Sequence, residues 1–135
     1  MEPIEKVYPD AISDTGYWWG PTGYDPLLKS MGHKILLQVD DHDYQGDSRL
    51  ILKHTNGRYG MLIFGWGSCS GCDALQACNS YADLDELRKS LNDGITWMSK
   101  KALHKYISTK DWELEWAWHT EGTKEFIEKA IELLK

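Results

Sequence analysis

The sequence predicts an α+β fold, in which an antiparallel sheet of about four strands is covered on one face by helices. Three observations lead to this class. Short apolar runs between residues 33 and 66 read as a three-strand meander, helical periodicity follows from residue 80, and the last segment is again helical. A chain of 135 residues is long enough to bury one two-layer core.

The three leading strands are predicted from apolar runs and one turn signal. The first run covers residues 35–39, and two more flank Asn56-Gly57. Asn-Gly between apolar runs favours a two-residue type I′ turn, because both central residues need positive φ. Such a turn would place His54 opposite Tyr59 across the hairpin.

A fourth strand is predicted over residues 112–118, where large apolar side chains alternate with smaller or charged ones. A period of two indicates a strand with one buried face. The apolar positions are Trp112, Leu114, Trp116 and Trp118, and the predicted solvent-exposed face carries Glu113 and Glu115.

Three helices are predicted after the meander. Ser80 and Asp83 form a capping box before the first, which should end at Gly94. The second is expected over residues 95–107 and the last over residues 123–134. The inward residues of the second helix are predicted to be Met98, Ala102 and Tyr106.

The predicted organisation is an irregular arm over residues 1–30 and a single α+β domain over residues 31–135. Prolines and glycines in the arm interrupt regular structure. Its rings, Trp18 and Trp19 among them, either cover one side of the core or form an exposed platform for a partner.

Charge and composition limit the classes of partner. The formal charge is −6 with a pI near 5.3, which disfavours nucleic acid and suits a basic partner protein. No apolar run approaches the roughly 20 residues of a membrane span. The amino terminus lacks a secretory pattern and the cysteine count is odd, so we expect a protein of the reducing cytoplasm.

Carboxylates supply a second set of candidate binding residues. Asp41, Asp43 and Asp47 lie in one acidic segment, and together with Glu113 and Glu115 they can dock a basic surface or simply be solvated. The segment resembles the first half of a calcium loop. A leucine occupies the twelfth position, where such a loop needs glutamate, so calcium binding of that kind is not expected.

The three cysteines, Cys69, Cys72 and Cys78, fall within ten residues on a glycine-rich turn. Cys69 and Cys72, which are separated by two residues, can supply half of a structural zinc site, with Cys78 and a histidine (His42, His54 or His119) completing it. Cys69 and Cys72 can instead form a redox or nucleophilic thiol pair. In the third interpretation, all three pack in the core and the chain holds no cofactor.

Three segments resemble a functionally uncharacterised family of small proteins found mainly in bacteriophages. They are Tyr44-Gln-Gly-Asp-Ser48, the cysteine run Phe64-Gly-Trp-Gly-Ser-Cys-Ser-Gly-Cys-Asp-Ala-Leu-Gln-Ala-Cys78, and Asp111-Trp112 through Trp116-Ala-Trp-His119. The likeness covers roughly residues 35–134. It implies a context, the cytoplasm of an infected bacterium, and no mechanism.

These observations lead to an expected function without catalysis. We expect an acidic cytoplasmic protein, monomeric or a small homo-oligomer, that binds and inhibits a host protein in a counter-defence role, without nucleic acid or membrane partners. Two alternatives remain open. One is a thiol enzyme or redox protein that uses Cys69 and Cys72, and the other is a sponge that binds a small signalling molecule among the aromatic rings.

Overall fold

The computed structural model describes residues 1–69, 71, 73–112 and 120–135, the last range without the side chain of Thr120. Within these ranges the chain forms five helices and four strands. The helices are α1 (Ile4–Val7), α2 (Tyr24–Ser30), α3 (Tyr81–Asp93), α4 (Lys100–Thr109) and α5 (Thr120–Leu133). The strands are β1 (Lys34–Asp40), β2 (Gly46–Lys53), β3 (Tyr59–Trp66) and β4 (Thr96–Met98). No helix in this part of the chain is long and apolar enough to cross a membrane.

The chain divides into two compact units, each built from two separate segments. The first unit contains Met1–His33 and Trp66–Gly94, and the second contains Lys34–Gly65 and Ile95–Lys135. The first 33 residues, which include the predicted arm, thus share a unit with the cysteine segment and α3. This part of the chain is also more regular than the sequence suggested, since it contains α1 and α2.

The second unit contains the sheet, and its architecture confirms the α+β prediction. The four strands follow one another in the order β1-β2-β3-β4 as an antiparallel meander. In the β1–β2 ladder, Ile35 lies opposite Leu52 and Val39 opposite Arg49, with an irregularity between Ile35 and Leu37.

The β2–β3 turn differs from the predicted type I′ turn. Only Gly57 has a positive φ, at 88°, whereas type I′ requires it at Asn56 as well. The Gly57 amide donates to the His54 carbonyl (2.9 Å), and the His54 amide donates to the Arg58 carbonyl (2.8 Å), so His54 faces Arg58 across a three-residue loop. The Asn56 side chain accepts from the Arg58 amide at 2.9 Å, which stabilises this longer loop.

The helix predicted over residues 95–107 is wrong in its first half. Residues 96–98 form β4, which pairs with β3 through Gly60 opposite Trp97. A Cβ on Gly60 would lie 2.7 Å from the Trp97 ring, so the glycine creates the room in which this strand docks. The helix begins only after Ser99, whose Oγ accepts from the Ala102 amide at 3.1 Å.

The later start of α4 also changes its inward face. Leu103 and Ile107 are buried, whereas Ala102 is exposed. They join a core in which α4 and α5 pack with the sheet. Its buried residues are Val39, Ile51, Met61, Leu103, Ile107, Trp112, Phe126, Ala130 and Leu134. The last helix contributes Phe126, Ala130 and Leu134 to this core. The predicted tryptophan strand lies, apart from Trp112, outside the described residues.

The first unit has its own core, formed by short helices and the segment before α3. Its buried residues are Ile4, Tyr8, Ala11, Leu27, Leu75, Cys78 and Leu84. The start of α3 is capped as predicted: Ser80 Oγ accepts from the Asp83 amide at 3.2 Å. The Asp83 carboxylate accepts from the backbone amide of Asn79 at 2.9 Å, whereas the predicted capping box had it accept from the amide of Ser80.

Candidate functional site

Residues 11–19 of the first unit form a small hairpin, called the aromatic hairpin below. Ile12 and Trp18 form an antiparallel bridge. The Ser13 amide donates to the Tyr17 carbonyl (2.8 Å), and the Trp19 amide donates to the Ala11 carbonyl (2.7 Å). Successive side chains on an extended segment point to opposite sides, so Trp18 lies on the side opposite to Tyr17 and Trp19.

Trp18 points inward and anchors the aromatic hairpin. Its indole N–H donates to the Cys78 carbonyl at 3.1 Å. Its ring meets the ring of Tyr81 edge to face, with centroids 5.3 Å apart. Trp18, predicted as a binding residue, is therefore half-buried and engaged in the structure of the unit.

Tyr17 and Trp19 point outward. Their side chains are 63% and 69% exposed, and the two rings contact each other edge to face at 5.0 Å. The sequence left open whether the amino-terminal rings cover the core or form a platform. The structure divides them between the two roles, since Trp18 packs inward while Trp19 stays exposed.

A cavity of about 520 Å³ lies in the first unit between residues 18–24 and the segment that precedes α3. We call it the aromatic cavity because four rings line it: Trp18, Trp19, Tyr24 and Trp66. The rest of its lining includes the apolar side chains of Pro21 and Leu75, the thiol of Cys78, and the polar side chains of Asp73, Gln76 and Asn79. Its volume falls within the range of small-molecule sites.

Asp73 organises the wall of the aromatic cavity. Its carboxylate is buried and accepts from the Tyr24 hydroxyl at 2.6 Å. It also accepts from the backbone amides of Gly67 (3.4 Å) and Gln76 (3.1 Å). The Gln76 side chain in turn donates to the Gly67 carbonyl at 3.1 Å. These bonds join Tyr24, Gly67 and Gln76 to one buried carboxylate.

Two acids beside Asp73 are kept in their neutral forms. Burial, followed by the hydrogen bond to Asp73 and its charge, raises the pKa of Tyr24 above its usual range. Burial also raises the pKa of the Cys78 thiol, with smaller contributions from the charges of Asp83 and Asp73. Charged forms are disfavoured where water is excluded and a carboxylate is near.

The cysteines occupy different environments. Cys69 is exposed, whereas Cys78 is buried in the core with its thiol 3.4 Å from the Ala74 carbonyl. Its protonated, buried thiol is a poor nucleophile, which supports the packing interpretation for Cys78. Cys72 lies outside the described residues, so zinc binding and a thiol pair with Cys69 both stay predictions. Among the residues that are described, no three Cys, His, Asp or Glu side chains converge to hold a metal ion.

The acidic segment of the second unit is not a uniform solvated face. Arg49 on β2 is fully buried, and its guanidinium makes a bidentate contact with Asp41, at 2.9 Å and 3.2 Å. Asp47 lies at the edge of this pair, 4.0 Å from Arg49, and its amide donates to the Asp41 carboxylate at 2.8 Å. Asp41 therefore stabilises the interior of the unit, and Asp43 is the exposed residue of the three.

Two predicted binding residues, Glu113 and Glu115, lie outside the described part of the chain.

The sequence analysis missed two buried polar residues of the first unit, Asp73 and Arg88. Arg88, which looks like part of a basic surface block, is buried and donates to the Glu2 carbonyl (2.6 Å) and to Ser30 Oγ (3.2 Å). Its position four residues after Leu84, on the same face of α3, is the sequence signal that could have revealed it.

Comparison of the chain with protein-family models, with curated proteins and with solved structures found no significant match. The resemblance to bacteriophage proteins accordingly stays a prediction, and so do the partner and the cellular context that it implies.

Proposed function

We propose that this protein is a non-enzymatic binding protein that contacts a protein partner through the aromatic hairpin. The observation that carries the proposal is the exposed pair of Tyr17 and Trp19, two large rings in mutual contact on the surface. Tyrosine and tryptophan are enriched among the residues that dominate binding energy at protein interfaces. Both bury a large apolar area and keep a polar group at the edge.

The hairpin is suited to recognition because it is preorganised. Backbone hydrogen bonds close it, and Trp18 ties it to the Cys78 carbonyl from the inner side. A partner would therefore meet rings whose backbone is already fixed, and association would lose little conformational entropy.

The proposed partner is a host protein with a basic contact surface. The net charge of −6 favours association with a positively charged protein. The resemblance to bacteriophage proteins supports an infected bacterial cytoplasm as the setting and inhibition of a host factor as the outcome. In this proposal the protein acts by occupying its partner and needs no catalytic residue.

The test compares substitutions of two exposed aromatic sites. Tagged wild-type protein, Trp19→Ala and Tyr17→Ala are used to capture partners from bacterial extract, with Tyr44→Ala as the matched control. Tyr44 is 83% exposed and lies in the second unit. We expect a partner that is retained by the wild type and by Tyr44→Ala, and bound about 30-fold more weakly by Trp19→Ala.

The affinity for the captured partner should also fall as salt concentration rises, because charge complementarity is part of the proposal. If Trp19→Ala and Tyr17→Ala bind as well as the wild type, or if Tyr44→Ala weakens binding as much as they do, the aromatic hairpin is not the contact surface.

A further inference from the structure

The aromatic cavity has features of a ligand site, and it shares one ring, Trp19, with the proposed protein–protein contact. Its rings line an open space of about 520 Å³, which is enough for a small organic molecule. Trp18 and Trp19 of the aromatic hairpin line the cavity, whereas Tyr17 is not part of its lining. The lining residues Asp73 and Asn79 lie outside the hairpin, so substitutions there test the cavity alone.

The charges of the lining indicate the sign of a suitable ligand. Among the described lining residues, Asp73 is the one that carries a formal charge, and no lysine, arginine or histidine is present. Tyr24 and Cys78 remain neutral beside it, since burial and neighbouring carboxylates raise both pKa values. The cavity therefore presents one negative charge and no positive group, so a phosphate or a carboxylate ligand would be repelled.

The aromatic rings also favour a positively charged ligand. The faces of tryptophan and tyrosine carry negative electrostatic potential and attract alkylated ammonium groups. Four such rings line the cavity, three of them indoles, which bind cations best. The side-chain amides of Gln76 and Asn79 offer polar contacts at the exposed rim.

We propose that the aromatic cavity binds a small organic cation, with the alkylated ammonium group among the rings of Trp18, Trp19, Tyr24 and Trp66 and the Asp73 carboxylate supplying the opposite charge. The protein would thus hold a low-molecular-weight ligand in its first unit in addition to the proposed protein partner. The net negative charge of the chain favours the same ligand class.

A matched pair of probes tests the proposal. Choline and its neutral isostere 3,3-dimethylbutan-1-ol have nearly the same shape, and they differ in the charge of the branched group. Binding to the full chain is followed by calorimetry and by tryptophan fluorescence. We expect choline to bind about tenfold more tightly than the neutral isostere. Equal affinities, or no binding of choline at about 10 mM, would overturn the proposal.

Substitutions at the rim test the site without disturbing the core. Asn79 is exposed, so Asn79→Lys places a positive charge at the cavity while Asn79→Gln keeps the site neutral. We expect Asn79→Lys to weaken choline binding about fivefold and Asn79→Gln to leave it unchanged. If both variants bind like the wild type, choline is bound elsewhere and the proposal fails.

Asp73→Asn removes the charge and retains the size of the side chain. We expect about a tenfold loss of choline affinity and little change for the neutral isostere. Should this variant unfold, the Asn79 pair still decides the question. Because Trp19 belongs to both sites, Tyr17→Ala, which lies outside the cavity lining, reports on partner capture alone, and either proposal can fail while the other stands.

Discussion

Asp41 and Asp43 are two residues apart in the loop between β1 and β2, and their environments differ completely. The Asp41 side chain is almost fully buried and bonds the guanidinium of fully buried Arg49 through both oxygens. Asp43 is exposed, and its carboxylate accepts from the amide of neighbouring Tyr44 at 2.7 Å. Removing one partner of a buried ion pair leaves a charge without water and without its counterion.

We predict that Asp41→Ala lowers the free energy of unfolding by about 3–5 kcal/mol, because it leaves the Arg49 charge buried without its bidentate partner. The matched substitution Asp43→Ala should change it by no more than about 0.5 kcal/mol. Urea unfolding followed by circular dichroism measures both. Equal effects of the two substitutions would contradict the structural role assigned to Asp41.

At the scale of single elements, the first turn of α5 depends on a glycine. A Cβ on Gly122 would lie 2.7 Å from Arg49 Nη1 and closer still to Asp41 Oδ1. Glycine normally weakens a helix relative to alanine by about 1 kcal/mol. Here the missing side chain lets the helix lie directly against the buried ion pair, so packing and helix propensity favour opposite residues.

We predict that Gly122→Ala destabilises the protein by about 1–3 kcal/mol, although helix propensity alone would make it stabilising. Thermal and urea unfolding measure the change. Lys124→Ala, at an exposed position of the same helix, serves as the control and should stay within about 0.5 kcal/mol of the wild type.

A double substitution checks the cause. Combined with Asp41→Ala, the Gly122→Ala change should have a smaller effect than in the wild type, because the nearer of the two atoms that the new methyl group meets is gone. Strict additivity would show that Gly122 acts through something other than its contact with Asp41.

At the scale of the whole molecule, each compact unit is stabilised by a core of its own, and the two cores contain different polar groups. The second unit holds the Arg49–Asp41 pair, whereas the first holds hydroxyl groups that bond the backbone. Among these, the Tyr8 hydroxyl donates to the Gly23 carbonyl. Burial raises the pKa of Tyr8 to about 12.

The stability of the whole chain should therefore fall in alkaline solution. Below pH about 10 the Tyr8 phenol is protonated in both states and its contribution is constant. Between pH about 10 and 12 the unfolded chain loses this proton first, so the free energy of unfolding decreases by about 1.4 kcal/mol per pH unit from Tyr8.

The substitution Tyr8→Phe isolates this effect. Below pH 9 it should lower stability by a constant amount, because the bond to the Gly23 carbonyl is lost. Between pH about 10 and 12 the free energy of unfolding of Tyr8→Phe should decrease with pH less steeply than that of the wild type, by about 1.4 kcal/mol per pH unit. Urea unfolding of both proteins across this pH range measures the difference. If the free energies of unfolding of the wild type and of Tyr8→Phe decrease in parallel with pH, the raised pKa of Tyr8 is not the cause.

Much of the fold could be predicted because its signals are local. Ser80 and Asp83 define the start of α3, and Gly94 follows its last residue, since capping groups act within one turn. The apolar positions of α5 predict its buried face in the same way. The β2–β3 hairpin was predicted as well, although Asn56 keeps a negative φ and the loop is one residue longer than expected.

The candidate site was less accessible to this reasoning. Trp18 and Trp19 are adjacent and identical in type, and only the pairing of Ile12 with Trp18 decides which ring points inward. Asp73 carries no motif of its own, and its role arises from Tyr24, which is 49 residues away along the chain.

The sequence alone determined the α+β class, the meander and the ends of α3, because periodicity, turn residues and caps act between close neighbours. The tertiary structure decided that Thr96–Met98 is a strand, that the Asp41 side chain is buried while Asp43 is exposed, and that four rings line one cavity. Each of these depends on residues far apart in the chain: Gly60 makes room for Trp97, and Gly122 makes room for Asp41 and Arg49. Such close approaches are set by packing in three dimensions, which no local pattern encodes.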